Sequence, residues 1–313
     1  MSGTGLWLVG SGSMALAYSA VMDDLEVDYE VVGRGNESAD DFEAVTGRTV
    51  RIGGVERAVR ELPVPDTAIV AVTVDQLAST TRALLQTGVS RILLEKPGGL
   101  SRQQVGSVME AAGDAYVAIA YNRRQYVSVH AARQAIEEDG GVTSFAFEVT
   151  EWPHATEPIQ LAQSTRNRWF LAQSSHVVDL AFHLGGRPTD WQPWTSGGLP
   201  WHRESSRFAG AGVTDLGATF SYHGDWEGPG QWGLEIFTRK RRLILRPLEE
   251  LQTMHLGSLE VTTTTVDDDL DQRFKPGIHR QTSAFLNGDN THACLIAEHE
   301  ENMGIYEMMA GYQ

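Results

Sequence analysis

Short apolar runs alternate with helical patterns from the N-terminus as far as Tyr121. The runs are rich in β-branched residues and predict strands at 6–9, 29–32, 67–72, 91–94 and 116–120. The periodic segments 74–86 and 101–112 predict helices that each end at a glycine, with Ser101 as the N-cap of the second. This alternation is typical of βαβ units around a parallel sheet.

After Tyr121 the strand-like runs become more frequent than the helical patterns. Helices are predicted at 126–138 and 176–184, and strands at 145–150, 218–222, 233–238, 241–245 and 259–265. Such runs suit a largely antiparallel sheet with helices on one face. The predicted fold class is therefore α/β, with a doubly wound parallel sheet in residues 1–122 and an α+β domain in residues 123–313. Leu234 and Ile236 alternate with Gly233 and Glu235, which suggests a partly apolar outer face and a homo-oligomer formed through this sheet.

Composition limits the partners. Of the 313 residues, 41% are hydrophobic and 21% are charged, a balance typical of globular proteins. The formal charge of -16 argues against nucleic acid or an anionic membrane as a partner. The single cysteine, Cys294, fits a reducing cytoplasm, the N-terminus lacks the basic region of a signal peptide, and no apolar stretch reaches the roughly 20 residues that span a bilayer. We expect a cytoplasmic protein that acts on a small molecule.

A glycine-rich turn follows the first predicted strand. In Gly10-x-Gly12-x-x-Ala15, Gly10 permits a tight turn, Gly12 lets a pyrophosphate approach the backbone, and Ala15 keeps the helix close to the strand. The start of the helix, at Ser13 and Met14, offers N–H groups to phosphates. Because this turn is the first of a βαβ series, it indicates dinucleotide binding; the alternative is a glycine turn that only packs.

The end of the second strand predicts which dinucleotide binds. NAD-binding chains usually carry an acidic residue there, whereas this chain has Gly33 followed by Arg34. Arg34 can form a bidentate pair with a 2′-phosphate, and Asn36 and Ser38 can add hydrogen bonds. We expect NADP(H) to be preferred and NAD(H) to be possible, with Thr73 as a further cofactor contact; the alternative is that Arg34 only faces solvent.

The stretch ILLEKPGG places Lys96 where an apolar strand ends. In a parallel sheet this residue reaches the carboxyl edge, where ligands bind. An ammonium there can donate to a substrate oxygen and stabilise negative charge during hydride transfer. Pro97 favours an extended backbone at Lys96 and permits a cis bond. Taken alone, Lys96 is better explained as a solvated turn residue, but next to a dinucleotide site the functional interpretation becomes the preferred one.

Four short motifs occur together in a specific order: Gly10-x-Gly12, Glu95-Lys96-Pro97, Tyr121-Asn-Arg-Arg124 and Ser175-His176-x-x-Asp179-Leu180. Together they resemble the glucose–fructose oxidoreductase and inositol dehydrogenase (Gfo/Idh/MocA) family of NAD(P)-dependent oxidoreductases. The resemblance covers roughly the first 190 residues, and Lys275-Pro-Gly277 with Gln281 and Phe285 is similar to a late family segment. It implies a Rossmann domain followed by an open-faced α/β domain, and sugars, cyclitols or related polyols as substrates. It also implies that Glu95 and Lys96 lie at the cofactor and that Lys96 and His176 face the nicotinamide.

His176 begins a predicted helix that Ser174 or Ser175 can cap. The positive end of the helix dipole disfavours a charged imidazole, so we expect a neutral His176 that can accept a proton. Asp179, one turn further on, can orient the imidazole or a sugar hydroxyl. His183 lies on the same face, but no further ligand cluster is nearby, so we predict no metal site. A purely structural histidine is the alternative for His176.

The chain departs from the resemblance at one position. Many family members carry an aspartate four residues before the histidine, and this chain has Ala172, which cannot relay a proton. Gln173 or water then assists, or the chemistry differs. Arg123, Arg124 and Arg168 are the predicted substrate contacts, with ion pairing as the alternative for the first two.

The hypothesis that follows is an NADP(H)-dependent oxidoreductase that acts on a secondary hydroxyl or ketone of a sugar or cyclitol. In it, Lys96 polarises the reacting oxygen, His176 exchanges its proton and Asp179 supports them. The alternative, which Ala172 keeps open, is a cofactor-binding sensor or partner protein without turnover. A lyase or epimerase that uses a bound cofactor transiently is a third possibility.

Overall fold

The computed structural model describes residues 5–156 and 161–312. The chain forms two compact units. The first contains Met1–Tyr121 and Gln272–Met303, and the second contains Asn122–Asp271 and Gly304–Gln313. In the described part of the chain, no helix has the length and apolarity that a membrane span requires.

The elements are numbered along the chain. The strands are β1 Leu6–Val9, β2 Glu30–Gly33, β3 Val50–Ile52, β4 Thr67–Val70, β5 Arg91–Glu95, β6 Tyr116–Ala120, β7 Ser144–Glu148, β8 Pro188–Ser196, β9 Arg207–Thr214, β10 Thr219–Asp225, β11 Gly233–Phe237, β12 Arg241–Leu245, β13 Gln252–His255, β14 Val261–Thr263 and β15 Cys294–Leu295. The helices are α1 Ser13–Asp24, α2 Asn36–Thr46, α3 Gly54–Glu61, α4 Leu77–Gln86, α5 Arg102–Ala112, α6 Val127–Glu138, α7 Pro153–Thr156, α8 Gln163–Asn167, α9 Ser175–Gly185, α10 Asp269–Arg273, α11 Ile278–Asn287 and α12 Ile296–Ala310.

The first unit is built around a seven-stranded sheet in the order β15-β6-β5-β4-β1-β2-β3. All of its pairs are parallel except β15 with β6. The strands β1, β4 and β5 are buried almost throughout, as expected for a sheet covered on both faces. The chain order reverses between β1 and β4, and doubly wound sheets bind ligands at such a switch point.

The second unit contains an eight-stranded sheet in the order β14-β13-β12-β11-β7-β10-β9-β8. Only β10 and β7 pair in parallel, so the sheet is largely antiparallel. Phe145, Phe147 and Phe220 stack on one face, where the ring of Phe182 from α9 meets them edge-on. Gly185 permits this approach, because a Cβ there would lie 2.2 Å from the Phe145 ring.

These two sheets confirm the predicted fold class, but several details differ from the prediction. The helices α2 and α3 and the strand β3 lie between predicted strands, and β8 and β9 lie where no strand is predicted, because their Pro, Gly and Trp residues interrupt the expected alternation. Residues 272–303 belong to the first unit, so the chain passes back from the second unit to the first. The predicted single boundary after residue 122 does not include this return. Leu234 and Ile236 are fully buried, so they do not form the apolar outer face on which the oligomer prediction was based.

Candidate functional site

The glycine-rich turn of the first unit has the geometry that a phosphate-binding turn requires. Gly10 has φ +129°, and a Cβ there would lie 2.2 Å from the Ala71 carbonyl oxygen, so only glycine fits. Gly12 is the N-cap of α1, with nothing within 4 Å of the position of a Cβ. The turn therefore brings backbone N–H groups to an open space at the start of a helix.

That open space is a cavity of about 500 Å³ within the first unit. It brings together six of the predicted cofactor residues, namely Gly10, Gly12, Ser13, Met14, Arg34 and Thr73. A dinucleotide fits the chemistry of this wall, because Gly12 leaves room for a pyrophosphate and the N-terminus of α1 attracts its charge.

The end of β2 cannot carry an acidic side chain without rearrangement. A Cβ at Gly33 would lie 2.6 Å from Val50 Cγ1 and 3.2 Å from Ser11 Oγ. The next residue, Arg34, lines the cavity, and its Nη1 donates to Gln76 Oε1 at 3.0 Å. Ser38 also lines the cavity, and its Oγ lies 2.9 Å from Ser11 Oγ. This corner thus presents a guanidinium and hydroxyls where NAD-binding chains usually present a carboxylate.

Glu95 is buried in the first unit, where the Tyr18 hydroxyl donates to its Oε1 at 2.7 Å. Burial raises the pKa of the Glu95 carboxyl, against the opposing effects of the Tyr18 hydrogen bond and of the charges of Lys96 and Lys275. Burial and the neighbouring Glu95 charge raise the pKa of Tyr18 as well. The two side chains form a polar link between α1 and the end of β5.

The Lys96–Pro97 turn is fixed from two sides. Its peptide bond is cis, and Gly98 N donates to the Glu95 carbonyl at 3.0 Å. The fully buried His299 bonds through Nε2 to the Pro97 carbonyl at 2.8 Å. Because a carbonyl can only accept, this His299 nitrogen carries the hydrogen. The sequence motifs did not indicate His299, which comes from α12, far along the chain.

The helix that carries His176 begins differently from the prediction. The segment Phe170–Ser174 is a π-helical turn that runs directly into α9. Ser174 Oγ donates to Glu151 Oε1 at 2.6 Å and Ser175 Oγ donates to the Leu171 carbonyl at 2.7 Å, so neither serine caps α9 and the predicted cap is wrong. Helical backbone precedes His176, so no free helix N-terminus lies at its ring, and the helix dipole gives no reason to expect a neutral imidazole. π-Helical turns are frequent at functional sites.

Asp179 and Arg124 bind each other. Arg124 donates from Nε and Nη2 to the two carboxylate oxygens at 2.8 and 2.6 Å, and the side chains are 3% and 1% exposed. The Tyr306 hydroxyl also lies 3.5 Å from Asp179 Oδ1. This bidentate pair corresponds to the ion-pairing alternative for Arg124, and it joins the turn after β6 to α9 within the second unit.

The remaining predicted residues of the second unit separate into two groups. Arg168 lies over the Tyr312 ring at 4.4 Å, and His183 Nε2 accepts from Arg133 at 2.7 Å. Arg123 instead lines a cavity of about 400 Å³, together with Gln173. Ala172 is buried in the π-helical turn. Across the described ranges, no group of three or more His, Cys, Asp or Glu side chains is arranged to hold a metal ion.

This second cavity has an aromatic wall that no sequence motif indicated. Trp152, Trp169 and Trp232 line it, and the Trp232 ring centroid lies 6.0 Å from that of His176. Tryptophans have no characteristic spacing when they come from three separate segments, so only the folded chain shows that they share a wall.

Comparison with known proteins gives relatives in structure only. No protein-family model matches the sequence, and no curated protein sequence matches it. Levoglucosan dehydrogenase in complex with NADH and levoglucosan matches with a TM-score of 0.80 and 16% identity, over 97% of this chain and 95% of that chain. UDP-N-acetylglucosamine 3-dehydrogenase from Acidithiobacillus ferrooxidans matches with a TM-score of 0.76 and 14% identity, over 98% and 97% of the two chains.

A third solved structure, an oxidoreductase from Agrobacterium radiobacter in complex with NAD+, L-tartaric acid and magnesium, matches with a TM-score of 0.77 and 13% identity, over 97% and 94% of the two chains. At these identities the comparison establishes the fold. The resemblance predicted from the motifs is thereby confirmed at that level: the chain has the fold of these dehydrogenases and oxidoreductases.

Proposed function

We propose that the protein is a nicotinamide-dependent oxidoreductase that acts on a secondary hydroxyl or ketone of a sugar, sugar derivative or cyclitol. The cavity at the Gly10–Met14 turn is the observation that carries this proposal, since its wall combines a helix N-terminus, the tight turn at Gly10, open space for a pyrophosphate at Gly12, and Arg34. The fold supports it too, because a structural neighbour is a sugar dehydrogenase complexed with NADH and its sugar.

In this proposal the residues of the turn hold the dinucleotide through backbone N–H groups, with Thr73 and Glu95 as further contacts. The bound nicotinamide supplies or accepts the hydride. Lys96 donates a hydrogen bond to the reacting oxygen and stabilises the negative charge that develops on it. His176 takes the hydroxyl proton when the alcohol is oxidised and returns it when the ketone is reduced, so the proton and the hydride balance.

Asp179 has a positioning role in this scheme, since both of its oxygens bind Arg124. Ala172 removes the carboxylate that many members of the family place before the histidine. Gln173 lines the cavity beside it and can hold a hydroxyl but not transfer a proton. Ala172 is also the feature that favours the second candidate function, a cofactor-binding sensor without turnover.

We also propose a preference for NADP(H) over NAD(H), supported by Gly33 and Arg34. Arg34→Ala should weaken NADPH binding roughly 10- to 100-fold, the equivalent of about 1.5–3 kcal/mol for a hydrogen bond to a charged group, with little effect on NADH. Arg51→Ala is the matched control, because Arg51 is an exposed arginine on β3, paired with Glu30 and outside the cavity wall. Equal losses for both cofactors would remove Arg34 from phosphate recognition.

The activity is tested by titrating the protein with NADPH and NADH, followed by absorbance assays with a panel of sugars, keto sugars and cyclitols. We expect cofactor binding and a change in reduced-cofactor absorbance with at least one substrate. Cofactor binding without any absorbance change or product would favour the sensor. Product formed without net change of the cofactor would favour the lyase or epimerase.

A further inference from the structure

The tryptophan-lined cavity of the second unit has the residues expected of a site for a ring that carries both apolar faces and hydroxyl groups. Trp152, Trp169 and Trp232 contribute aromatic surface, and the Arg123 guanidinium lies 4.8 Å from the Trp232 ring centroid. Ligand sites generally combine such aromatic walls with a few polar groups that fix orientation. A sugar ring offers the matching pair of surfaces, C–H faces for the indoles and hydroxyls for the polar groups.

Two of the polar groups on this wall have no hydrogen-bond partner among the described residues. The indole N–H of Trp169 and the Nε–H of Arg123 are buried and make no hydrogen bond with any described residue. Trp169 is only 7% exposed, so water has little access to its indole N–H. A buried donor without an acceptor costs free energy, and because neither nitrogen is accessible at the cavity surface, a ligand oxygen reaches it only when the side chain shifts.

The charged residues of the same wall indicate which kind of ligand oxygen the cavity favours. The described lining carries one guanidinium, from Arg123, and two carboxylates, from Glu151 and Glu249. Glu151 accepts from Ser174 Oγ at 2.6 Å, while Glu249 is exposed at the rim. Among the described lining residues of this cavity there is thus one more negative than positive charge, which disfavours a ligand carboxylate or phosphate placed against them. The two carboxylates can accept hydrogen bonds from the neutral hydroxyls of a ligand, and the Arg123 guanidinium can donate to the oxygens of those hydroxyls.

We infer that this cavity binds the ring of a neutral, unphosphorylated sugar and discriminates against sugar acids and sugar phosphates. The inference rests on the proposed function, because it specifies the substrate of the same site. His176 connects this cavity with the proposed reaction. Its ring adjoins that of Trp232, and Gln173 of the π-helical turn lies shortly before it in the chain.

The test compares matched sugars on the full chain in the presence of saturating NADPH. Calorimetric titration with glucose, galactose and mannose, each beside its uronate and its 6-phosphate, measures affinity without requiring turnover. We expect at least one neutral hexose to bind at least about tenfold more tightly than both of its anionic counterparts. Anionic members that bind as well as the neutral one, or the failure of every neutral hexose to bind, would overturn the inference.

Glu249→Gln gives a second, surface-located test with a close control. Removing this rim charge should reduce the preference for a neutral sugar over its uronate by roughly three- to tenfold, whereas Glu250→Gln, which changes an adjacent exposed carboxylate outside the wall, should leave it unchanged. Identical preferences in the two variants would contradict the role assigned to charge.

These titrations, combined with the absorbance assays of turnover, separate this inference from the proposed function. Selective binding of a neutral hexose with no cofactor oxidation or reduction would support the inference and contradict the oxidoreductase. Turnover of anionic sugars in preference to neutral ones would support the oxidoreductase and contradict the inference.

Discussion

Gly12 permits a test of the cofactor site that does not disturb the fold. A Cβ built at Gly12 meets no atom within 4 Å, and its backbone, at φ −90° and ψ −170°, is extended and open to any residue. Gly12→Ala should therefore leave the first unit folded. The added methyl group instead occupies the space through which a pyrophosphate would approach the turn.

The size of the effect follows from this crowding. Forcing one extra methyl group against a closely packed partner costs about 1–3 kcal/mol, which corresponds to a roughly 5- to 150-fold weaker Kd for the dinucleotide. The assay is fluorescence titration with NADPH, with thermal unfolding as a check of stability.

Gly35→Ala is the matched control. Gly35 is the N-cap of α2, with an extended backbone and nothing within 4 Å of its Cβ position, but it does not line the cavity. Both variants carry the same small cost of replacing an N-cap glycine. We expect Gly35→Ala to bind NADPH like the wild type. Equal affinity of Gly12→Ala and Gly35→Ala for NADPH would refute the placement of the pyrophosphate at this turn.

Two further predictions concern buried polar pairs. Tyr18→Phe should cost about 1.5–3 kcal/mol of stability near neutral pH, since Glu95 loses a buried donor. Burial raises the pKa of Glu95 above its unfolded value, so its contribution to stability is present in acid and falls as the pH rises through the folded pKa. Tyr18→Phe should make that fall steeper. An equal loss of unfolding free energy at acidic and at neutral pH would contradict this. Arg124→Met should cost about 3–5 kcal/mol by leaving Asp179 buried without its partner, and Arg124→Met with Asp179→Leu should recover part of it; additive losses in urea unfolding would show that the pair is not coupled.

The parallel sheet could be predicted from the sequence because its strands are short, continuous apolar runs. The same pattern places the turn at Gly10, where the backbone has a positive φ, and the end of β5 before Lys96. Ser101 was predicted as an N-cap and is one, as Gln104 N donates to its Oγ at 3.2 Å. These features depend on neighbours in sequence.

The features that the sequence did not indicate depend on distant partners. From sequence, Ser174 and Ser175 are good helix caps. The chain is already helical in the π-helical turn that ends at Ser174, and the two hydroxyls donate to Glu151 and Leu171 instead. His299 reaches Pro97 from the other end of the chain. From its motif alone Asp179 is available for catalysis, and no local pattern shows that the buried Arg124 binds both of its oxygens.

Hydride transfer itself is tested most directly with NADPH deuterated at its transferable position. The protein is incubated with the keto-sugar panel, and the alcohol products are analysed by mass spectrometry, for the wild type and for Lys96→Met. We expect a product that carries the deuterium, formed about 10²–10⁴-fold more slowly by Lys96→Met while NADPH affinity is nearly unchanged. An NADPH-bound protein that labels no product, or a Lys96→Met variant that labels it at the wild-type rate, would contradict this mechanism.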